Sequence, residues 1–304
     1  MNPLVDAVVV TYNSSATVQA AVDSLLATEI VATVTIVDNA SSDALPAFED
    51  SRVRVVSQPT NAGFARAVNI GLHHGTSLYA LLLNPDAEIS DGSLRRLIDE
   101  LASDDAIAMV GPLLVHPGGK ATLGARRFST LWNRTLPFWP LLNRQSFHFD
   151  AEYRDSSAMI RSGKAISVDY LWGACLLVRR SFLESVGGLD ERFFLYSEDE
   201  DLGREASLRG YKTLLITSAQ ALHTGNVSSG GRTPLVCARQ IFANRQLLEK
   251  WEGVEKARLF GAGVKVGLRL YLVIDMVRGR EAEGEATRHV LYLLREMSAT
   301  GCGA

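Results

Sequence analysis

The first half of the chain alternates runs of β-branched residues with segments whose apolar residues recur every three or four positions. The runs predict strands and the recurring segments predict helices, because side chains repeat every two residues along a strand and about every 3.6 along a helix. The predicted strands are Val5–Thr11, Thr33–Val37, Arg52–Val56, Tyr79–Leu83 and Ile107–Val115, and the predicted helices are Ser15–Ala27, Asn61–His73 and Gly92–Ser103. Such alternation predicts an α/β fold with a mostly parallel sheet flanked by helices.

The pattern changes twice further along the chain. Residues 117–168 lose periodicity and carry Trp132 and Trp139, which predicts a long irregular insertion of the kind that often serves binding. Regular elements then return as a strand at Leu171–Val178, helices at Arg180–Val186 and Glu198–Arg209, and a strand at Lys212–Thr217. Beyond Pro234 the pattern is helical. We therefore predict an α/β domain over residues 1–232 and a C-terminal helical extension over residues 233–304.

Residues 264–277 are the most apolar part of the helical extension, although Lys265, Arg269 and Asp275 interrupt them. A span of a bilayer needs about 18 uninterrupted apolar residues, which this segment lacks. Four of its apolar residues recur at helical spacing: Val266, Leu270, Val273 and Val277. We expect this face to pack on the domain, with a position on a membrane surface as the alternative.

Composition narrows the class of protein. A chain of 304 residues that is 47% hydrophobic can bury a sizeable core, and its near balance of 31 basic and 34 acidic residues argues against a nucleic-acid binder. The three cysteines, Cys175, Cys237 and Cys302, are too widely spaced to indicate a disulfide framework or a cysteine metal site. Together with the absence of a basic leader before the first strand, they favour a cytoplasmic location.

Polar residues follow three of the predicted strands. They are Thr11-Tyr12-Asn13, Asp38-Asn39 and Asn84-Pro85-Asp86. In an open α/β sheet, ligands bind outside the carboxyl ends of the strands. The glycine fingerprint of dinucleotide enzymes is absent after the first strand, so a mononucleotide site is the better expectation.

An aromatic run followed by a carboxylate cluster occupies Gly187–Leu202. Carboxylates in a first helical turn stabilise the helix, because they complement its dipole and cap free N–H groups. The same residues could instead perform acid/base chemistry. The second acidic strand end, at Asp86 and Glu88, favours that interpretation.

These motifs resemble those of family 2 glycosyltransferases, and most of all the bacterial rhamnosyltransferase branch. The similar segments, within residues 5–225, are Val8–Asn13, Val37–Asp43, Asn61–Asn69, Asn84–Glu88 and Gly187–Leu202. The resemblance implies a GT-A fold, a nucleotide-sugar donor, a divalent cation (Mg²⁺ or Mn²⁺) and inversion at the anomeric carbon.

The resemblance also implies roles for residues of the donor site. Asp38 takes the position of the carboxylate that reads uracil or thymine, and Thr11 and Tyr12 would line the same pocket. Asn13, Asn39 and Asn84 are further candidates for contacts with the donor, and Arg66 lies on the helix that approaches the diphosphate.

For the reaction itself, the resemblance implies Asp86 and His223 as metal ligands and Asp199 as the catalytic base. Asn84 replaces the first carboxylate of the family's metal motif, which puts its own ligation in doubt. Glu205 stands where many relatives have arginine, so no role is transferred to the neighbouring Arg204. The loop 224–231 is expected to close over the diphosphate when the donor binds.

The expected donor is dTDP-L-rhamnose, with a UDP-sugar (galactofuranose, glucose or N-acetylglucosamine) as the alternative. A sugar nucleotidyltransferase is an alternative of another class. The expected acceptor is a glycan or lipid-linked glycan of cell-envelope synthesis, for which Trp172, Trp132 and Trp139 are candidate wall residues. An association with the inner face of the plasma membrane and a homodimer stay open.

Overall fold

A computed structural model of the chain describes residues 4–140, 153, 156–225 and 233–300. These residues form two compact units. The first unit consists of the described residues of 1–127, 152–191 and 198–228, and the second of those of 128–151, 192–197 and 229–304.

The strands belong to the first unit. They are β1 (Val5–Thr11), β2 (Val31–Asp38), β3 (Val53–Ser57), β4 (Tyr79–Leu83), β5 (Ala87–Ile89), β6 (Ile107–Val115), β7 (Ala121–Thr122), β8 (Ala125–Arg126), β9 (Ala165–Val168), β10 (Tyr170–Leu171), β11 (Cys175–Arg179) and β12 (Lys212–His223).

The helices are shared between the two units. The first unit has α1 (Ser15–Leu26), α2 (Phe64–Leu72), α3 (Asp91–Ser103), α5 (Ser156–Arg161), α6 (Arg180–Val186) and α7 (Glu198–Leu208). The second has α4 (Leu131–Thr135), a 3₁₀ turn (Leu136–Phe138), α8 (Pro234–Glu252), α9 (Val254–Val277) and α10 (Glu281–Thr300).

The main sheet has the strand order β3-β2-β1-β4-β11-β6-β12-β5. The first four strands of this order are parallel, and β11 is antiparallel to both of its neighbours. β12 then runs parallel to β6 and antiparallel to β5. This arrangement confirms the predicted α/β fold with a mostly parallel central sheet.

β1 shows why the apolar runs form this sheet. The strand is buried along its whole length, and its alternate residues enter two separate cores. Val5 and Val9 pack in the core that includes α1, whereas Val8 and Val10 pack in the core that includes α2. Each fully buried valine contributes about 1.5–3 kcal/mol to the stability of the fold. Since both faces of this strand are covered, apolar residues are favoured at successive positions and not only at alternate ones.

β12 is longer than the predicted strand over Lys212–Thr217. Its pairing with β6 shifts between the pairs Ile216–Pro112 and Gln220–Leu113, so Thr217–Ala219 form a bulge. Pro112 has no N–H to donate to the ladder, which favours an irregularity at this point. Beyond the bulge β12 continues to His223 and pairs with β5, a short strand that periodicity did not predict.

The predicted strand over Leu171–Val178 is divided into two strands, because the chain turns between β10 and β11. The N–H of Trp172 donates to Gly124 O (2.7 Å), and Ala174 O accepts from the N–H of Asn84 (2.9 Å). These hydrogen bonds lie outside the main ladder and divide the apolar run into two strands.

The insertion predicted over 117–168 has more regular structure than expected. Its described residues contain three short strands and two short helices. Residues 141–152 and 154–155 lie outside the described part of the chain, as does most of the predicted closing loop, 226–231.

The second unit has its own core, formed mainly by α8, α9 and α10. A Cβ atom at Gly267 would lie 2.2 Å from Phe138 O. Only glycine therefore allows α9 to approach the 3₁₀ turn this closely.

The face of α9 that was expected to pack on the domain is exposed, so that prediction is wrong. Val264 and Leu268 are buried on the opposite face. The exposed fractions of the four predicted residues are 44% for Val266, 37% for Leu270, 54% for Val273 and 79% for Val277. None of the described helices combines the length and apolar character that crossing a bilayer requires.

Candidate active site

The ends of β1 and β2 bring Thr11 and Asp38 together. The two residues are opposite each other in the parallel pairing, and Thr11 Oγ1 donates to Asp38 Oδ1 over 3.4 Å. The N–H of Ser41 donates to the same oxygen over 3.1 Å. No hydrogen bond engages Asp38 Oδ2 within the described residues, so this half-buried carboxylate has one oxygen that could accept from a ligand.

Asn13 connects the loops that follow the same two strands. Its φ is 53°, and its Oδ1 accepts from the N–H of Ser42 (2.8 Å) and from its hydroxyl (3.0 Å). The adjacent Tyr12 is 39% exposed. Asn13 therefore shapes the rim of the pocket predicted for the nucleotide, and its contact with a donor stays a prediction.

The side chain of Asn39 is fully engaged by the protein. Its Nδ2 donates to Asn61 Oδ1 (2.9 Å) and Gly63 O (3.2 Å), and its Oδ1 accepts from the N–H of Ala62 (2.8 Å). Asn39 is only 3% exposed. Both amide hydrogens are used, so the Asn39 side chain stabilises the turn that leads into α2. A direct contact between Asn39 and the donor stays a prediction.

Arg66 lies on α2 with an exposed side chain, and its Nε is 3.9 Å from Glu191 Oε2. Both side chains are more than half exposed, so this ion pair contributes little to stability. The guanidinium is available at the surface for a charged ligand, which is compatible with its predicted role.

Asn69 clamps α2 to the segment that precedes the acidic helix. Its Nδ2 donates to Leu189 O and its Oδ1 accepts from the N–H of Leu189, both over 2.8 Å. The same Nδ2 contacts Glu191 Oε1 at 3.1 Å. Gly188 has φ +83°, and a Cβ there would lie 2.4 Å from Asn69 Oδ1. Sequence reasoning assigned no role to Asn69, although it closes one of the family-like motifs.

Asp86 and His223 meet where β5 pairs with β12. His223 is opposite Ala87 in that pairing, and its Nε2 lies 3.4 Å from Asp86 Oδ1. Thr224 is a further neighbour that sequence reasoning missed, since its Oγ1 is 3.4 Å from Asp86 Oδ2 and its N–H donates to Asp86 O over 3.0 Å. Asn84 comes just before, and its O accepts from the N–H of Ala87 over 3.1 Å.

The electrostatics of this pair favour an ionised carboxylate. Burial would raise the pKa of Asp86, but the hydrogen bond and charge of His223, its own backbone N–H and the Thr224 hydroxyl together lower that pKa below its usual value. His223 Nδ1 is buried and has no hydrogen-bond partner within the described residues.

Asp86 and His223 are the residues that could hold a metal. The described part of the chain contains no group of three or more His, Cys, Asp or Glu side chains suited to a metal ion. The carboxylate is a donor that both Mg²⁺ and Mn²⁺ accept, and the imidazole nitrogen suits Mn²⁺ better than Mg²⁺, provided that a ligand and water supply the other oxygen atoms. The donor set therefore fits a cation that binds together with a phosphate ligand.

The first turn of α7 contains four carboxylates in different surroundings. Glu200 is fully buried and pairs with Arg204 Nη2 at 2.8 Å, and Asp201 is buried as well. Asp199 is the only half-buried member, and its Oδ1 accepts from the N–H of Glu200 over 2.7 Å. The pair with Glu200 explains Arg204 as a residue that stabilises the helix.

Glu198 is a carboxylate of a different kind. It is 8% exposed, and its Oε2 has no hydrogen-bond partner in the described residues. Burial, followed by the charges of Asp199 and Asp201, raises the pKa of Glu198 to about 8. At neutral pH Glu198 is therefore mostly protonated, whereas a proton acceptor has to be ionised.

The candidate aromatic residues have separate surroundings. Trp172 is partly buried against the core that contains α1, and the Arg126 guanidinium lies 5.3 Å from its ring centroid. In the second unit, Trp132 is 65% exposed, whereas Trp139 lies close to Gly267 of α9. Their role toward an acceptor stays a prediction.

Comparison with known proteins settles the family. The model of a family described as glycosyl transferase family 2 matches residues 6–187, more than half of the chain. The chain belongs to glycosyl transferase family 2. The protein is a glycosyltransferase, as the sequence motifs predicted, and the alternative of a sugar nucleotidyltransferase is wrong.

This glycosyltransferase is similar to a curated relative from Mycobacterium tuberculosis, N-acetylglucosaminyl-diphospho-decaprenol L-rhamnosyltransferase. The two are 32% identical over 254 residues, which cover 77% of this chain and 80% of the relative. The resemblance to the rhamnosyltransferase branch of the family is thereby confirmed.

Two solved structures share the fold of the glycosyltransferase. GalNAc-T7, solved with UDP, GalNAc and Mn²⁺, has a TM-score of 0.59 at 14% identity, covering 82% of this chain and 48% of that one. The mannosyltransferase PcManGT of Pyrobaculum calidifontis, solved with GDP-Man and Mn²⁺, has a TM-score of 0.57 at 15% identity. The match covers 96% of this chain and 86% of that one. At these identities the likeness concerns the fold alone, and it agrees with the predicted GT-A architecture.

Proposed function

We propose that this glycosyltransferase transfers L-rhamnose from dTDP-L-rhamnose to a lipid-linked glycan of cell-envelope polysaccharide synthesis. The observation that carries this proposal is the 32% identity, over 77% of the chain, with a relative named as an L-rhamnosyltransferase that acts on a diphospho-decaprenol. In this proposal residues 1–232 are the catalytic domain and residues 233–304 a helical extension. The enzyme works in the cytoplasm, at the inner face of the membrane.

Asp38 reads the base of the donor nucleotide. Thr11 and the N–H of Ser41 hold its Oδ1, which leaves Oδ2 to accept the N3–H of thymine or uracil. Cytosine lacks a hydrogen at this position, so it loses the contact. A hydrogen bond to a charged group contributes about 1.5–3 kcal/mol, enough to select among nucleotides.

Asp86 and His223 hold a divalent cation, Mg²⁺ or Mn²⁺, together with the diphosphate of the donor. The 3.4 Å separation of the Asp86 carboxylate oxygen and the His223 imidazole nitrogen supports this assignment. When bound, such a cation neutralises charge that develops on the leaving diphosphate. Arg66 contributes further positive charge from α2.

Asp199 accepts the proton of the acceptor hydroxyl. The hydroxyl oxygen forms a bond to the anomeric carbon while the bond from that carbon to the diphosphate breaks, and the electron pair leaves on the diphosphate. Attack opposite the leaving group inverts the anomeric carbon. Asp199 is favoured over Glu198 because Asp199 is less buried, whereas the raised pKa of Glu198 keeps its proton in place at neutral pH.

A titration with nucleoside diphosphates tests the proposal. We expect dTDP and UDP to bind and Mn²⁺ to strengthen both, since the proposed cation contacts the diphosphate. A panel of donors, measured for slow hydrolysis without acceptor, then separates dTDP-L-rhamnose from UDP-galactofuranose, UDP-glucose and UDP-N-acetylglucosamine. Hydrolysis of a UDP-sugar alone would replace the proposed donor, and binding that Mn²⁺ leaves unchanged would contradict the metal site.

A further inference from the structure

The second unit contains a cavity of about 360 Å³ between α8, α9 and α10. Its apolar lining includes Ile241 and Phe242 from α8, Phe260 from α9 and Leu294 from α10. These four side chains belong to the core of the unit, so the cavity has a well-packed floor. None of the residues described above as catalytic or donor-binding contributes to it.

Three cations line the same cavity. They are Arg245 of α8 and Arg258 and Lys265 of α9. Among the described residues, none of the three forms an ion pair with a carboxylate. Three cations that line one cavity beside an apolar floor make its mouth attractive to an anion.

An exposed apolar stripe adjoins these cations on α9. Its residues are Leu259, Val266, Leu270, Val273 and Val277, all at least 37% exposed. They recur at intervals of seven, four, three and four residues, which places them on one side of a helix with about 3.6 residues per turn. Arg258 and Lys265 precede Leu259 and Val266 directly, so the cations lie between the stripe and the cavity.

We propose that the cavity binds the phosphate group of an anionic membrane lipid while the apolar stripe of α9 lies in the bilayer surface. An interfacial helix inserts its apolar face to a depth of about 5–10 Å and keeps its cations at the level of the lipid phosphates. The arrangement on α9 has both parts. A free phosphate ion would be attracted by the same cations, but it would leave the stripe in water.

This site would hold the enzyme at the membrane in which a lipid-linked acceptor resides, a role that rests on the proposed function. Its occupant is defined by chemistry alone, as a lipid with a phosphate or diphosphate head group. Lipid binding requires neither the donor nor the catalytic residues, and it can therefore be measured separately.

Vesicle flotation of the full chain tests the site. Vesicles of phosphatidylcholine alone are compared with vesicles that also contain phosphatidylglycerol, at physiological salt. The test variant removes the three cations of the cavity: Arg245→Gln, Arg258→Gln and Lys265→Gln. Because each basic residue near an anionic surface contributes about 1 kcal/mol, we expect the partition coefficient of this variant to fall on the order of a hundredfold.

The matched control removes three other exposed cations that do not line the cavity: Arg96→Gln of α3, and Arg288→Gln and Arg295→Gln of α10. Both variants change the net charge equally, so a difference between them reports the cavity and not the overall charge. We expect the control to lose roughly threefold or less, since exposed charges away from the surface are screened. Equal losses in the two variants would overturn the proposal.

Two further measurements identify the ligand and the surface. Val266→Gln with Val273→Gln should abolish vesicle binding and still bind soluble dihexanoyl phosphatidic acid, since the cavity is intact. Millimolar inorganic phosphate should not release the wild type from vesicles, and release would overturn the lipid assignment. Mn²⁺-strengthened binding of dTDP should be unchanged in every variant, so a failure of the lipid site is distinguishable from a failure of the proposed function.

Discussion

His223 Nε2 lies 3.4 Å from Asp86 Oδ1, although one residue ends β12 and the other precedes β5. The antiparallel pairing of these two strands brings them together. Neither residue has a second carboxylate or imidazole that would complete a group of three in the described part of the chain. A cation at this pair would therefore take its other oxygen ligands from water and from the donor.

Replacing Asp86 or Asp38 should impair nucleotide binding in different ways. Asp86→Ala should remove the strengthening of dTDP binding by Mn²⁺, because the cation loses its carboxylate. Asp38→Ala should weaken dTDP roughly 10-fold to 100-fold even without metal, the loss expected for a hydrogen bond to a charged group. Isothermal titration calorimetry with and without Mn²⁺ measures both effects. If both variants bind dTDP with wild-type affinity and the wild-type response to Mn²⁺, the roles proposed for Asp86 and Asp38 are both contradicted.

Asp199→Asn should separate catalysis from binding. Asparagine keeps the size of the side chain and an oxygen that can accept from the N–H of Glu200, but it cannot take up a proton. We expect normal folding and normal donor binding, with transfer reduced at least about 100-fold, the lower range for a positioned general base. Initial rates with a saturating donor provide the measurement.

Glu198→Gln is the matched control for that experiment. Glu198 is mostly protonated at neutral pH, so the amide resembles its native form. Transfer should stay within roughly a factor of ten of wild type, a smaller loss than removal of a general base produces. If Glu198→Gln abolishes transfer and Asp199→Asn retains it, the base is Glu198.

The clamp between Asn69 and the segment at Leu189 should contribute to stability. Asn69→Ala would leave the buried N–H and C=O of Leu189 without partners, so we expect the free energy of unfolding to fall by about 2–4 kcal/mol. Gly188→Ala should cost about 2–3 kcal/mol, because its φ is +83° and the new methyl would meet Asn69 Oδ1.

Gly92→Ala is the control for these substitutions. A Cβ at Gly92 would have no neighbour within 4 Å, and the residue lies in the first turn of α3. The free energy of unfolding of the Gly92→Ala variant should equal or slightly exceed that of the wild type, because alanine has a higher helix propensity than glycine. Urea denaturation of all three variants measures the effect, and equal values for Gly188→Ala and Gly92→Ala would contradict the clamp.

Glu198 should also give the protein a specific dependence of stability on pH. Its pKa rises from 4.5 to about 8 on folding, so between these values the native state binds a proton that the unfolded state has released. Stability is therefore highest below pH 4.5 with respect to this group, falls as pH rises, and has lost the contribution above about pH 8. Glu198→Gln has no such loss.

Chemical denaturation at pH 5 and pH 9 checks this behaviour. Glu198→Gln should be more stable than wild type at pH 9, by an amount on the order of a few kcal/mol, and closer to it at pH 5. Glu184→Gln, an exposed carboxylate on α6, is the control and should follow the wild type at both values. If the stability difference between Glu198→Gln and the wild type is no larger at pH 9 than at pH 5, the raised pKa of Glu198 is contradicted.

Local patterns in the sequence predicted much of the first unit. The strand at Val5–Thr11 and the helix that begins near Ser15 are readable because each follows its own period over many residues. β5 is different, since three residues contain no measurable period and its pairing with β12 is made across a long stretch of chain. The register of such a pair depends on tertiary packing and cannot be read from either segment alone.

The candidate site likewise has residues that the sequence indicates and features that only the folded chain shows. Asp38, Asp86 and Asp199 could be singled out because the motifs around them resemble those of family 2 glycosyltransferases, after a strand for the first two and in the first turn of α7 for the third. The surroundings that distinguish Glu198 from Asp199 are not recognisable, because burial depends on side chains from distant segments. The engagement of Asn39 with Asn61 and Gly63 is equally a property of the folded chain.

The bulge at Thr217–Ala219 fixes the phase of β12 beyond it. Successive strand residues point to opposite faces, so an odd number of extra residues exchanges the faces of everything that follows. Deleting one bulge residue would turn the imidazole of His223 away from Asp86, and deleting two would restore its direction. Changes of chain length at this point should therefore be tolerated in even steps and should inactivate the enzyme in odd ones.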